Sequence, residues 1–188
     1  MPREEHHLAG TERPATIEVR VGELMQLFNS LDASPFHERD LDDDAEAYIA
    51  GWAKELPPLA PLQIVVHLPQ PEAIKAEERG LEAAFANYFN YREGMLERDY
   101  RERVRMGRRA LAVGMIVLAL CTTAAQFMRT FLLSDAVGQF VAEGLIIFGW
   151  VANWRPAEIF LYEIWEMRRT CRLYRRLAAA KVVVSVQS

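Results

Sequence analysis

The chain has 188 residues, of which 51% are apolar, and a formal net charge of −4. This length fits one domain of ordinary size or two small ones. Its two cysteines, Cys121 and Cys171, lie in an apolar and a basic segment respectively, so they do not indicate a disulfide-stabilised fold.

Charge is distributed unevenly along the sequence. Acidic residues dominate residues 39–78, whereas arginines cluster at residues 98–109 and 168–176. Clusters of this kind are typical of proteins that contact a membrane or a nucleic acid. Both arginine clusters flank apolar segments, where lipid phosphates would lie. We therefore expect a lipid bilayer as the partner and no nucleic acid.

Residues 1–14 are polar, and we predict that they form a disordered tail. They lack the apolar core of a secretory signal peptide, so the segment that follows is expected to stay in the cytoplasm.

Residues 15–70 have the pattern of a small α/β module. Alternation of apolar and polar residues predicts a strand at residues 16–21. A second strand is predicted at residues 62–68, where prolines close the segment.

Two helices are predicted between these strands. The first covers residues 22–31 and places four apolar side chains on one face: Leu24, Leu27, Phe28 and Leu31. Residues 32–41 are predicted to be a loop. The second helix covers residues 42–56, where acidic residues in the first turn suit the helix dipole.

An amphipathic helix is predicted over residues 71–109. Leu81, Phe85 and Tyr88 follow one another at spacings of four and three, which predicts a helix-packing stripe. Gly80 weakens this helix but need not break it, and no proline occurs before residue 110. The helix can therefore continue into the apolar segment that follows.

Two apolar segments have the length of a transmembrane helix. The first, residues 110–128, carries no charge and spans about 28 Å. The second, residues 136–154, contains a single charge, Glu143. Trp150 and Trp154 lie at the inner end of this second segment, where indole rings favour the membrane interface. Pro156 follows and marks a helix break or restart.

The distribution of arginines predicts the orientation of this hairpin. Arg108 and Arg109 precede the first span, Arg155 follows the second, and the connecting residues 129–135 hold only one basic residue, Arg129. By the positive-inside rule, residues 129–135 form an outer loop and both termini are cytoplasmic. The alternative is a buried helical hairpin in the core of a soluble protein.

Residues 156–180 are predicted to form an amphipathic basic helix, in which Phe160, Ile164 and Met167 make a second packing stripe. This helix either packs antiparallel against residues 71–109 or lies flat on the inner leaflet. Residues 181–188 are β-rich and are predicted to be a tail or a third strand that completes the sheet. The expected fold is an α+β membrane protein: a transmembrane hairpin extended by cytoplasmic helices, with a small α/β module.

Glu143 is the most informative single residue. It lies about 12 Å from Asp135 by helical rise, which places it near the middle of a bilayer. A carboxylate at that depth usually faces a partner or a polar cavity, and Thr122 is the predicted partner within the chain. Glu143 then either holds helices together or serves an ion or proton pathway in an oligomer.

Other chemistry has weak support in the sequence. The acidic loop that contains His37, Glu38, Asp40 and residues 42–44 could be interpreted as a metal site, but its spacing matches neither an EF-hand nor a zinc motif. Signatures of hydrolases, nucleotide-binding loops and zinc proteases are absent from the sequence. We therefore expect no cofactor, no metal site and no catalytic residue.

Several segments resemble a pattern found in small uncharacterised bacterial membrane proteins with two spans. They are LFNSLD at 27–32, SPFHERDLD at 34–42, GWVA at 149–152 and WRPAEIFLY at 154–162. The resemblance covers most of the chain in the same order, and implies a two-span topology and a bacterial origin but no catalytic residues.

The expected function is a non-enzymatic inner-membrane protein whose hairpin anchors a cytoplasmic module for homo-oligomerisation or partner binding. The alternatives are a channel or transporter component that uses Glu143, and a membrane-bound enzyme.

Overall fold

The computed structural model describes residues 14–131 and 136–187, which form two compact units. The first unit holds the described residues up to Gly94 and those from Cys171 onward, and the second holds Met95–Thr170. Nearly all of the predicted amino-terminal tail, and residues 132–135 of the predicted outer loop, lie outside the described residues.

The first unit contains a sheet of three parallel strands in the order β1-β2-β3. Its strands are β1 (Ala15–Arg20), β2 (Leu62–Leu68) and β3 (Lys181–Val186). The carboxyl-terminal run thus forms the third strand, which confirms a small sheet assembled from both ends of the described chain. The register aligns Ile17 with Ile64 and Ile64 with Val182.

One face of this sheet is buried and the other is open. Side chains alternate across a strand, and in β2 every second residue from Leu62 to Leu68 is buried, while Gln63, Val65 and His67 are half-exposed. The strand order also requires two crossovers in the same direction, and right-handed crossovers then lie on one face. The helices of the first unit therefore pack on the buried face.

The segment between β1 and β2 departs from one prediction. Helix α1 (Asp43–Glu55) begins after Asp42, whose side chain accepts a hydrogen bond from Asp44 N, as the acidic first turn predicted. The helix predicted at residues 22–31 is wrong, because only a 3₁₀ turn at Leu24–Leu27 forms there. Leu31 is 91% exposed.

Local hydrogen bonds explain why this helix does not continue. Asn29 N donates to Asp40 O, and Phe28 forms an antiparallel bridge with Leu41. The Asn29 side chain accepts from Leu31 N, which closes a turn. Side chains of this kind compete with helical hydrogen bonds, so residues 28–32 follow the turn instead.

The helical part of the chain begins with α2 (Gln70–Glu78), which is followed by α3 (Leu81–Phe131). The prediction of one uninterrupted helix from residue 71 is wrong. Gly80 adopts a left-handed backbone conformation with a φ of +71°, which interrupts the helix. Gly80 N donates to Glu77 O and its own carbonyl accepts from Ala84 N, so this residue ends α2 and starts α3.

After α3 the chain returns through α4 (Ala136–Val151), α5 (Trp154–Glu158) and α6 (Ile164–Ala178). A π-helical turn at Ile159–Glu163 joins α5 to α6. Pro156 lies in the first turn of α5, where its missing N–H leaves no helical hydrogen bond unmade. The helix thus restarts at Trp154, three residues after α4 ends.

Two helical stretches, Leu81–Thr130 and Ala136–Ala178, are long and apolar enough to cross a bilayer by length and composition. Within the structure, only 11% of the most apolar window of the first stretch is buried, and 17% of that of the second. A core helix of a soluble protein is mostly buried. These fractions weigh against the alternative of a hairpin enclosed in a globular core.

The Gly80 junction gives a testable prediction. Gly80→Ala should lower the free energy of unfolding of the first unit by about 1 kcal/mol, because a Cβ disfavours positive φ. Gly94→Ala is the matched control: Gly94 lies within α3 with nothing within 4 Å of its Cβ position, so that change should be neutral or stabilising. Denaturation of the detergent-solubilised variants measures both effects. Equal effects of the two substitutions would contradict the assigned break.

Candidate functional site

The second unit is held together by close packing of small residues. Ala125 and Ala142 are buried, as are Gly138 and Gly149 of α4. A Cβ at Gly149 would lie 3.0 Å from Leu118 Cδ1, so the two helices approach too closely for a side chain there. Small residues that allow such an approach are typical of helix contacts in membranes.

Asn153 adds a polar link at one end of this contact. Its side-chain Nδ2 donates to Gly114 O and to Gly149 O, each at 3.1 Å, and so connects α3 with the end of α4. A Cβ at Gly114 would lie 2.6 Å from Asn153 Oδ1, which explains why a glycine occupies this position. These contacts fix the register between α3 and α4.

This register places Glu143 about level with residues 124 and 125 of α3. Glu143 is exposed, and it lies on the side of α4 that also carries the exposed Phe140 and Ile147. Thr122 Oγ1 donates to Leu118 O at 2.8 Å within its own helix. Within residues 14–131 and 136–187, no hydrogen bond or ion pair reaches Glu143, so the predicted Glu143–Thr122 pair is not formed.

The helices continue to pack beyond the apolar segments. Arg103 forms an ion pair with Glu163 at 3.0 Å, and the Arg168 guanidinium lies 5.8 Å from the centroid of the Tyr100 ring. A Cβ at Gly107 would meet Ile159 Cγ2 at 2.9 Å. The chain from residue 159 to residue 168 therefore lies antiparallel against α3 within this unit, instead of lying apart from it.

The predicted packing and interface residues are placed as follows. Leu81, Phe85 and Tyr88 are buried in the first unit, while Phe160 is 37% exposed and Ile164 and Met167 are half-buried in the second. The predicted interface residues are exposed at the surface of the second unit: Arg108, Arg109, Trp150, Trp154 and Arg155. Arg155 also forms ion pairs with Glu158 at 2.8 Å and Glu163 at 3.2 Å.

The first unit contains a buried polar cluster that the sequence does not reveal. Glu46 of α1 is 6% exposed and accepts hydrogen bonds at 2.5 Å from the hydroxyls of Tyr88 in α3 and Tyr174 in α6. Arg92 of α3 donates to the same carboxylate from Nε at 3.0 Å and forms an ion pair through Nη2 at 2.9 Å. We call these four residues the Glu46 cluster.

The Glu46 cluster changes the proton affinities of its members. Burial alone would raise the pKa of the Glu46 carboxyl, but hydrogen bonds from Tyr174, Tyr88 and Arg92 outweigh burial and hold that pKa below its usual value. Burial and the nearby carboxylate raise the pKa of Tyr174 to about 12, and they raise the pKa of Tyr88 as well. Near neutral pH the carboxylate is therefore charged and both hydroxyls are protonated.

The acidic loop has structural roles. Asp32 accepts hydrogen bonds from Asp40 N and Ser34 N, and these bonds lower the pKa of its carboxyl to about 2. Asp42 caps α1, and His37 lies 3.7 Å from Glu38. In the part of the chain that the structure describes, no three His, Cys, Asp or Glu side chains converge as a metal site would require.

Sequence reasoning missed the Glu46 cluster because Glu46 has the pattern of an ordinary acid in the first turn of a helix. The stripe that contains Tyr88 was the only available signal, since a tyrosine on a buried face needs a hydrogen-bond partner for its hydroxyl.

Comparisons with protein-family models, with curated proteins and with solved structures give no match.

The Glu46 cluster predicts a specific pH dependence. Because the folded pKa of Glu46 lies below the unfolded value near 4.5, its ionised form stabilises the fold above that pH, and this stabilisation is lost as pH falls through the folded pKa. Glu46→Gln should lower stability at pH 7 by about 2 kcal/mol and reduce the acid dependence.

Denaturation at pH 7 and at pH 4 measures this effect. Glu82→Gln, which replaces an exposed acid on α3, is the matched control and should leave both the stability and its pH dependence unchanged. Tyr174→Phe should cost about 1.5 kcal/mol while the acid dependence remains, because the Arg92 and Tyr88 contacts persist. An unchanged acid dependence in Glu46→Gln would contradict the assignment.

Proposed function

We propose that this chain is a bacterial inner-membrane protein in which a two-helix hairpin holds a small α/β module at the cytoplasmic face. The module binds a partner or a second copy, and the chain is not an enzyme. The resemblance to small two-span bacterial membrane proteins is part of this proposal.

The pairing of β3 with β2 carries the proposal. Val65 pairs with Val183, although α2 through α6 intervene between these strands. A sheet forms on one side of a membrane, so a chain that leaves this sheet and returns to it crosses an even number of times. Two sufficiently apolar helices lie between β2 and β3, which is the smallest even number of spans other than zero.

The arginines support an orientation. The chain carries six arginines at residues 98–109, before the first span, and Arg155 and the cluster at 168–176 after the second, whereas residues 129–135 have one. The positive-inside rule assigns the arginine-rich ends to the cytoplasm. Trp150 and Trp154 are 66% and 75% exposed, as expected for side chains that contact the lipid interface.

Thiol labelling tests this topology. In a chain with Cys121→Ser and Cys171→Ser, a membrane-impermeant maleimide applied to intact cells should label Ser134→Cys in the proposed outer loop. Leu59 is 90% exposed in the module, so Leu59→Cys should be labelled only after the membrane is permeabilised. Labelling of Leu59→Cys in intact cells, or recovery of the protein in the soluble fraction, would contradict the proposal.

Self-association of the hairpin is supported by Glu143. If the hairpin spans a bilayer, this carboxylate lies near mid-membrane on the face away from α3, where no partner from the described residues reaches it. An unpaired polar group in hydrocarbon is costly, so Glu143 favours contact with the same face of a second copy. The apolar neighbours Phe140 and Ile147 favour packing over an ion pathway.

The mass of the detergent-solubilised protein tests this contact. The native chain should be a dimer or larger, and Glu143→Leu should shift it towards the monomer, whereas Glu143→Gln should retain part of the association through its amide. Phe148→Leu, which changes a 65% exposed residue on another side of α4, is the control and should not alter the mass. A monomeric native chain would refute the contact.

A further inference from the structure

The outer edge of β1 borders a groove in the first unit. The groove has a volume of about 840 Å³ and lies between β1 and one side of α1, with Tyr48 and Trp52 on the helical side. These aromatic side chains are 47% and 48% exposed. Exposed apolar surface beside a groove is typical of a binding site for a partner or ligand.

The main chain of β1 presents N–H groups that do not bond to β2 to this groove. Ala15 N donates to Pro61 O and Val21 N donates to His67 O, so the odd-numbered residues of β1 bond to β2. Successive N–H groups along a strand alternate in direction, and Thr16, Glu18 and Arg20 therefore direct theirs away from β2. This edge can accept a further strand.

The contact of Tyr48 agrees with this direction. Its hydroxyl donates to Glu18 O at 3.2 Å, so α1 lies beside this edge and an added strand would replace the Tyr48 hydrogen bond with one from its own N–H. The N–H groups of the even-numbered residues lie outside the β2 ladder. Strand addition at such an edge uses main-chain hydrogen bonds for affinity and side-chain pockets for specificity. Trp52, one helical turn beyond Tyr48, supplies the apolar contact surface.

Charge indicates what the groove accepts. Asp42 and Asp44 line it, and Asp42 N donates to Leu27 O, which fixes this acidic end next to the chain that follows β1. Among the described residues that line the groove, the one basic side chain is Arg20, which lies 3.6 Å from Glu18. The groove thus has an acidic end and an aromatic end.

We propose that this groove binds an extended segment of a partner protein, which adds a strand to β1 and places lysine or arginine next to Asp42 and Asp44. An apolar side chain of that segment packs on Trp52. A second copy fits less well, because two acidic grooves would bring like charges together. The inference deepens the proposed partner-binding role of the module, on which it rests.

Fluorescence anisotropy tests this site with the full chain in a zwitterionic detergent. The ligand is a short labelled peptide of alternating lysine and valine, and the control peptide has the same composition with its lysines and valines in separate blocks. The alternating peptide should bind saturably and more tightly than the blocked peptide, because only the alternating one presents a basic and an apolar face as a strand.

Variants locate the binding. Trp52→Ala should weaken binding about tenfold, and Asp44→Asn should weaken it in a salt-dependent manner. Thr16→Pro removes an outward N–H without removing a β2 hydrogen bond and should also weaken binding. Leu59→Ala, a change at an exposed residue outside the groove, should have no effect. Melting curves establish that each variant is folded.

Several outcomes would overturn the inference. Equal affinity for the two peptides, or binding that survives Trp52→Ala and Thr16→Pro, would show adsorption to the micelle or to the surface at large. Absence of peptide binding together with a dimer that Thr16→Pro dissociates would assign the edge to a second copy instead. Failure of the membrane topology is detected separately by thiol labelling, which does not depend on the groove.

Discussion

The parallel pairing of β3 with β2 is the constraint on which the rest of the structure depends. It joins residues 62–68 to residues 181–186, and all the helices from α2 to α6 lie between them. Two strands alone would form a marginal sheet, and the third gives β2 a partner on each side. The same pairing requires the chain to return to the sheet after α2 to α6. A hairpin is therefore the simplest topology for the proposed membrane insertion.

The Glu46 cluster reinforces this closure by a second kind of interaction. A single buried carboxylate accepts hydrogen bonds from α3 and α6, the helices through which the chain leaves and re-enters the first unit. Burial makes the loss of any one donor costly, because the remaining groups lack water to replace it. The module is therefore sensitive to the positions of both helices, and a change at one of them alters the environment of α1.

The sequence predicted those features that depend on local pattern. The apolar segments, the strands at β1 and β2, the capped α1 and the possible carboxyl-terminal strand all follow from periodicity and flanking residues. It could not predict features that depend on distant contacts. The turn after Phe28 exists because Asp40 and Leu41 pair with it, and the break at Gly80 depends on a positive φ that a glycine permits but does not require. The Glu46 cluster and the β1 groove are formed by residues far apart in the chain.

In the proposed topology, β3 completes the sheet while the intervening helices cross the membrane and return. The most direct measurement is oxidative cross-linking in native membranes of Val65→Cys with Val183→Cys, a register pair on the open face, with Cys121 and Cys171 replaced by serine. After protease cleavage of the intervening chain, the two fragments should remain joined. The control pair Glu18→Cys and Val183→Cys, on strands separated by β2, should not cross-link. Equal cross-linking of the two pairs, or none in a folded membrane-inserted protein, would contradict the account.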